Sequence, residues 1–269
     1  MSHSARLTVI GLVCSCLLIV LIIFSASCSA LTSSTSTTVL ETSPYDWSKL
    51  HTDNGHYAYY EGDQLKSKLG IDVSSFQGTI DWNAVSKDGI SFAMLRLGSR
   101  GYTEGKLITD ESFEQNANEA NAAGIGVGAY FFSQAINEEE AEEEADFVLD
   151  NIQGTNVTYP IVYDYEKVTE EAARTDGLTD AECSACARAF CNRIQNAGYA
   201  VMIYGNTYDL QRLDQDVIDK YPIWYAEYST PPSTTCSFEM WQYSNKGTVA
   251  GINGRVDMDL WMDTADTSK

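Results

Sequence analysis

Residues 159–168 read YPIVYDYEKV. Tyr159, Ile161, Val162, Tyr163, Tyr165 and Val168 are the aromatic and β-branched residues of a buried strand, interrupted by Asp164 and Glu166. Side chains alternate across a strand with a period of two, so the two acids share one face. In a parallel α/β barrel, functional side chains gather at the C-terminal ends of the strands. Asp164 and Glu166 stand near the end of theirs.

Working outward, apolar runs alternate with amphipathic ones. Strands are predicted over LGIDVSSF (69–76), ISFAMLRLG (90–98), IGVGAYFF (125–132) and YAVMIYGN (199–206). Between them lie helical patterns in DWNAVSKDG (81–89), DESFEQNANEANAAG (110–124), NEEEAEEEADFVLDNI (137–152) and TDAECSACARAFCNRIQNAG (179–198), with a shorter one in TYDLQRLDQ (207–215). After Lys220 the helices stop, and YPIWYAEY (221–228), FEMWQYS (238–244) and GRVDMDLWM (254–262) read as three further strands. Alternating β and α units imply a parallel sheet, and this many imply closure. The expected fold is α/β: an irregular TIM-like barrel, (β/α)5β3. The acid run at 138–144 reads as a solvated helix face.

The chain has 269 residues and a formal charge of -21, from 38 acids against 17 bases. That balance excludes a nucleic-acid partner, which needs a Lys/Arg surface. Residues 7–24 are apolar throughout, long enough as a helix to span roughly 27 Å, and follow Arg6. The expected organisation is a signal peptide or membrane anchor over 1–28 and a flexible Ser/Thr-rich linker over 29–64. The catalytic domain is expected over 65–263, with a short tail at 264–269. The body of the protein is then extracytoplasmic, secreted or held at the cell surface, and monomeric. Cys28 after Ser-Ala-Ser weakly resembles a lipoprotein signal.

Cys183-x-x-Cys186 sits in a helical pattern without a second pair or a nearby histidine, and reads as helix packing. A Cys191–Cys236 bridge is open to an exported protein. His3, His51 and His56 all precede the domain, so triad catalysis and histidine-bound zinc have no residues within it. No metal or cofactor is expected, and the chemistry falls to carboxylates. Asp72, early in the first strand, and Asp257, late in the last, are candidates to join Asp164 and Glu166 at one mouth. Acids crowded in an apolar cleft raise one another's pKa, and a protonated acid beside an ionised one can cleave a glycosidic bond. Tyr130, Phe132, Tyr163, Tyr165, Tyr204, Trp224, Tyr225, Tyr228, Trp241 and Tyr243 lie in the same strands. Half should face the pocket, offering flat surfaces to sugar rings.

GIDVSSFQGTIDW, YDYE, YGN, WYAEY, MWQYS and GINGRVDMDLW occur in an order and spacing that resemble the glycoside hydrolase family 25 lysozymes, the Chalaropsis-type N-acetylmuramidases. The likeness runs from about Gly70 to Trp261. It implies a barrel of five βα units and three final strands, and hydrolysis of the β-1,4 bond from N-acetylmuramic acid to N-acetylglucosamine in peptidoglycan glycan strands. It also implies that Glu166 is the proton donor, Asp164 its partner carboxylate, and Asp72 and Asp257 the acids of the first and last motifs. Asp164 would orient the substrate's own N-acetyl group as nucleophile. Tyr130, Tyr204, Trp224 and Gln242 are the expected sugar contacts. The chain departs from the resemblance at Phe131, where many members have histidine, which implies altered subsite contacts. A chitin-directed hexosaminidase and a non-catalytic wall-binding module are the rival expectations.

Overall fold

The computed structural model describes residues 45–169, 172–233 and 236–263. The apolar segment at 7–24 and the tail at 264–269 lie outside the described residues. The first element is a small antiparallel sheet: β1 (Leu50–Asp53), β2 (His56–Glu61) and β3 (Gln64–Leu65). Asn54 and Gly55, both at positive φ, turn β1 into β2.

Eight strands then close a barrel: β4 (Ser67–Val73), β5 (Phe92–Arg100), then, past the short β6 (Leu107–Thr109) on the edge of β5, β7 (Gly126–Phe132), β8 (Ile161–Asp164), β9 (Val201–Gly205), β10 (Ile223–Ala226), β11 (Met240–Gly247) and β12 (Val256–Met262). From β4 round to β11 the pairing is parallel. β12 runs antiparallel to both β11 and β4 and forms the seam. The helices are α1 (Trp82–Lys87), α2 (Phe113–Ala122), α3 (Glu138–Asn151), α4 (Asp180–Asn196), α5 (Thr207–Leu210) and α6 (Gln215–Lys220). Their starts follow from the sequence: Asp81 and Asn137 cap α1 and α3 through their side-chain oxygens, and Thr179 with Glu182 makes a reciprocal box at α4. The (β/α)5β3 order is therefore the observed one. The short helical pattern after β9 resolves into two pieces, α5 and α6.

Strand alternation divides the core in two. Phe92, Met94, Val162, Met202, Trp224 and Met240 fill the barrel, while Ile161, Tyr163, Ile203 and Tyr225 face outward into the main core. Glycine makes room for the plug: a Cβ on Gly70 would stand 2.2 Å from the Phe92 ring, and one on Gly128 2.5 Å from Met94. Above these side chains the interior turns polar.

Residues 45–64, expected within a tether, are instead built into the domain. Among the described residues no helix follows β10 or β11, and the outer face of β11 is covered from the N-terminal side. The Tyr57 ring lies parallel to Trp241 at 5.9 Å, Trp47 meets the same indole edge-on at 5.3 Å, and the Tyr45 hydroxyl donates to the Phe238 carbonyl at 2.7 Å. Tyr59, buried behind them, is fixed where its backbone N–H donates to Ser67 Oγ at 2.9 Å. The composition of the segment suggested a linker; its aromatic anchors decide otherwise.

The cysteines are also corrected in part. Cys183, Cys186, Cys191 and Cys236 are all free and buried, so Cys191 and Cys236 form no bridge. The acid run on α3 is not wholly solvated. Glu144 is fully buried and accepts from Arg100 Nε (2.8 Å), Ser133 Oγ (2.6 Å) and the Gln134 N–H (3.2 Å). Burial pushes it up to about 7 against the pull of these donors.

Candidate active site

The four predicted acids meet at the mouth of the barrel, two of them by routes the sequence pattern misread. Asp72 is the penultimate residue of β4, not an early one, and so reaches the C-terminal end of its strand. Asp257 is the second residue of β12, not a late one. It reaches the same mouth because β12 runs backwards, and it stands directly across from Asp72 in the ladder. Asp164 closes β8 beside Tyr204 of β9, and Glu166 follows two residues on. With Asp72, Asp164, Glu166 and Asp257, the predicted contacts Tyr130, Tyr204, Trp224 and Gln242 line one cleft of ≈ 290 Å³.

A hydrogen-bond chain sets the floor. Gln242 Nε2 donates to Asp72 Oδ2 at 2.8 Å, and its Oε1 accepts from the hydroxyls of Tyr204 (3.0 Å) and Tyr228 (2.9 Å). Both ends of the amide are thus used, which fixes its orientation. The ladder between β11 and β12 slips just after Gln242, a bulge of the kind that re-aims side chains at barrel rims. Trp224 is held from below, where its indole N–H donates to Asp259 Oδ1 at 2.8 Å.

Asp259 and Asp209 were not foreseen as site residues. Asp259, two positions after Asp257 and so on the same face, is fully buried, and its Oδ2 has no partner among the described residues. Asp209 sits in α5, buried, and accepts from the backbone N–H groups of Lys167 and Asn206 at 3.4 Å each. Tyr228 and Asn245 complete the rim of the cleft. Period-two spacing from Asp257 is the signal that points to Asp259; the pattern of 207–215 holds none for Asp209.

Electrostatics follow from crowding. Burial, then the neighbouring Asp259 and Asp257, raises Asp72 well above the carboxylate range. Burial and Glu166 do the same to Asp164, whose Oδ1 has no partner among the described residues. Burial, Asp209 and Asp257 bring Glu166 up to about 7, and burial brings Asp257 up to about 6. Such a cluster holds several protons near neutrality and can release or deliver one as a ligand changes its surroundings.

Beneath Glu166 runs a second polar network. Ser133 and Gln134, just after β7, are both fully buried. The Ser133 N–H donates to the Asp164 carbonyl at 2.7 Å, Gln134 Nε2 donates to the Glu166 carbonyl at 3.4 Å, and Thr175 Oγ1 donates to Gln134 Oε1 at 3.0 Å. Through the Ser133 hydroxyl and the Gln134 backbone this network reaches the Glu144–Arg100 pair.

The family model described as Glycosyl hydrolases family 25 matches residues 71–252. The chain belongs to glycosyl hydrolase family 25. Among its relatives in the family, Lysozyme M1 of Streptomyces globisporus is 31% identical over 73% of this chain and 68% of its own length. The autolytic lysozyme of Clostridium acetobutylicum is 29% identical over 71% of this chain and 54% of its own. The autolysin LytC of Streptococcus pneumoniae, solved in complex with a synthetic peptidoglycan ligand, superposes with a TM-score of 0.64 at 25% identity, over 79% of this chain and 52% of that one. The chain thus spans about half the length of the Clostridium and Streptococcus proteins.

The sheet at 50–65 lies N-terminal to the family match. Phe131, the departure from the family pattern, is fully buried and packs edge-on to Phe147 of α3 at 5.9 Å, away from the cleft. The departure therefore falls in the core and not on the cleft wall. Of the aromatics, Tyr130, Tyr204, Trp224 and Tyr228 line the cleft, whereas Tyr163, Tyr165, Tyr225, Trp241 and Tyr243 belong to the outer core.

Proposed function

We propose that the chain is a lysozyme, a 1,4-β-N-acetylmuramidase that hydrolyses the bond from N-acetylmuramic acid to N-acetylglucosamine in peptidoglycan. The observation that carries this is the pairing of Glu166, held up to about 7 on the cleft wall, with the buried Asp164 two residues before it. A carboxyl that keeps its proton near neutral pH can give it to a leaving glycosidic oxygen. Membership of the family and the lysozyme relatives support the same reaction.

In this reading Glu166 is the general acid. Asp164 accepts the N–H of the substrate's acetamido group and so aims the acetamido oxygen at the anomeric carbon. As the glycosidic bond breaks, its electrons go to the leaving oxygen, which takes the Glu166 proton, and the acetamido oxygen bonds to the anomeric carbon. Glu166, now ionised, then takes a proton from the water that opens the ring so formed. The substrate N–H favours the ionised form of Asp164 and so lowers a pKa that burial had raised. Asp72 and Asp257 bind sugar hydroxyls, and Tyr130, Tyr204, Trp224 and Gln242 hold the ring. The enzyme works outside the cytoplasm as a monomer, delivered by residues 1–28 and kept at the surface where that segment remains as an anchor.

The test is digestion of purified peptidoglycan with the chain and with Glu166→Gln, read by mass spectrometry of the products. Fragments ending in reducing N-acetylmuramic acid, absent with the variant, are expected. Intact strands with both proteins would overturn the assignment. Release from chitin oligomers alone would move it to a hexosaminidase.

A further inference from the structure

Glu166 is a partition between two cavities. On one side is the acidic cleft; on the other is a pocket of ≈ 340 Å³ lined by Glu166, Lys167, Thr169, Asn206, Tyr208 and Asp209. The two differ in character. The cleft walls carry four carboxylates and no cation. In the second pocket the Lys167 ammonium sits 5.6 Å from the centre of the Tyr208 ring, itself half exposed. Among the described residues Lys167 makes no ion pair, although Glu166 and Asp209 line the same pocket. Lys167 meets Asp209 through its backbone N–H, at 3.4 Å. The ammonium is therefore placed over an aromatic face beside the pocket, with no ion pair to a described residue, in a chain of formal charge -21.

We propose that this second pocket receives the leaving half of the glycan, with Tyr208 as the stacking face and Lys167 as the specificity-determining contact to a carboxylate carried by that half. The inference rests on the muramidase reading. If Glu166 protonates the bridging oxygen, the scissile bond lies over it. The ring whose anomeric carbon reacts sits with Asp164 in the cleft, the departing N-acetylglucosamine extends across Glu166 toward the pocket, and the muramic acid that follows it is the first sugar of that half to carry a carboxylate. A glycan of muramic acid carries carboxylates that a chitin chain lacks, either on the lactyl group, where no peptide is attached, or on the stem peptide. A cation there separates the two glycans by attraction, while the surrounding acids penalise an anion placed anywhere else.

The experiment measures kcat and KM of the full chain and its variants on three substrates. They are intact peptidoglycan strands, strands stripped of peptide so that lactyl carboxylates are free, and stripped strands with those carboxyls converted to amides. Lys167→Gln is expected to raise KM about three- to five-fold on a carboxylate-bearing substrate with little change in kcat, the size of an exposed ion pair. The effect should shrink as salt is added, and Lys167→Arg should restore most of it. A change on intact strands alone assigns the stem peptide; one on stripped strands alone assigns the lactyl group. Tyr208→Ala should raise KM on all three. Equal KM for wild type and Lys167→Gln on both charged substrates, or an equal rise on the amidated strands, overturns the inference while leaving the muramidase intact. If the wild type cuts none of the three, the muramidase reading falls and this inference with it.

Discussion

Replacing Tyr59 by alanine tests whether residues 45–64 are a tether or a wall of the barrel. Tyr59 is 2% exposed, lies edge-on to both Tyr45 (5.8 Å) and Trp47 (6.5 Å), and its hydroxyl accepts from the Asp46 N–H at 3.2 Å. Removing a buried aromatic ring costs about 3–5 kcal/mol, because the transfer energy is lost and the cavity only partly collapses. The hydroxyl alone is worth about 0.5–1.5 kcal/mol, so Tyr59→Phe should be mild. For a domain of this size 1 kcal/mol shifts the melting temperature by about 2–4 °C, which puts Tyr59→Ala roughly 10 °C below wild type. The assay is urea denaturation followed by tryptophan fluorescence, since Trp47 and Trp241 sit in the affected contact, with peptidoglycan cleavage measured well below the midpoint. One cooperative transition at lower urea, with near-normal kcat at low temperature, is expected, because Tyr59 lies on the outer face, away from the cleft. A loss under 1 kcal/mol, or an early separate fluorescence phase with the barrel transition unmoved, would refute the reasoning.

Three further outcomes follow from the acids and their support. Glu166 and Asp257, at about 7 and about 6 when folded, bind their protons more tightly than in the unfolded chain. Their stabilising effect is complete below about pH 4 and is lost as pH rises through 6 and 7, at up to about 1.4 kcal/mol per pH unit for each group; melting temperature should fall between pH 5 and 8, and Glu166→Gln should flatten the decline. Burial raises Asp259 well above the carboxylate range, and it accepts from the Trp224 indole N–H. Asp259→Asn should hold kcat/KM within a few-fold and melt higher than wild type at pH 8, whereas a hundred-fold loss of activity would give its ionised form a part in the reaction. Gln134→Ala removes the side chain that ties the Glu166 carbonyl to Thr175, and should lower kcat about ten-fold, displace the alkaline limb of the pH profile and leave KM nearly unchanged; equal losses in both parameters would mean a merely structural role.

Much of this molecule was legible as pattern. Period-two alternation marked the eight barrel strands and placed Asp164 inside while Tyr163 and Tyr165 faced out. Capping residues marked the main helices. What escaped has physical causes. The strands of the N-terminal sheet are short and mostly exposed, so their composition resembles a linker, and only Tyr45, Trp47, Tyr57 and Tyr59 betray a buried face. Strand direction is invisible in alternation, which is why Asp257 could be assigned to the mouth while its position along β12 was misread. Glu144 was hidden in a run of identical residues: Glu140, Glu143 and Glu144 all pair with Arg100, but only Glu144 is fully buried, and charge alone cannot say which. Asp209 acts from a four-residue helix too short to show a periodicity.

The seam of the barrel passes through its working cleft. Asp72 on the first barrel strand and Asp257 on the last are ladder partners, joined only when β12 docks backwards between β4 and β11. No portion of the chain ending before β12 holds a complete set of acids, whatever else it has folded. A chain still being synthesised therefore lacks Asp257 and, with it, the complete cluster. The last strand to arrive is the one that completes the cleft.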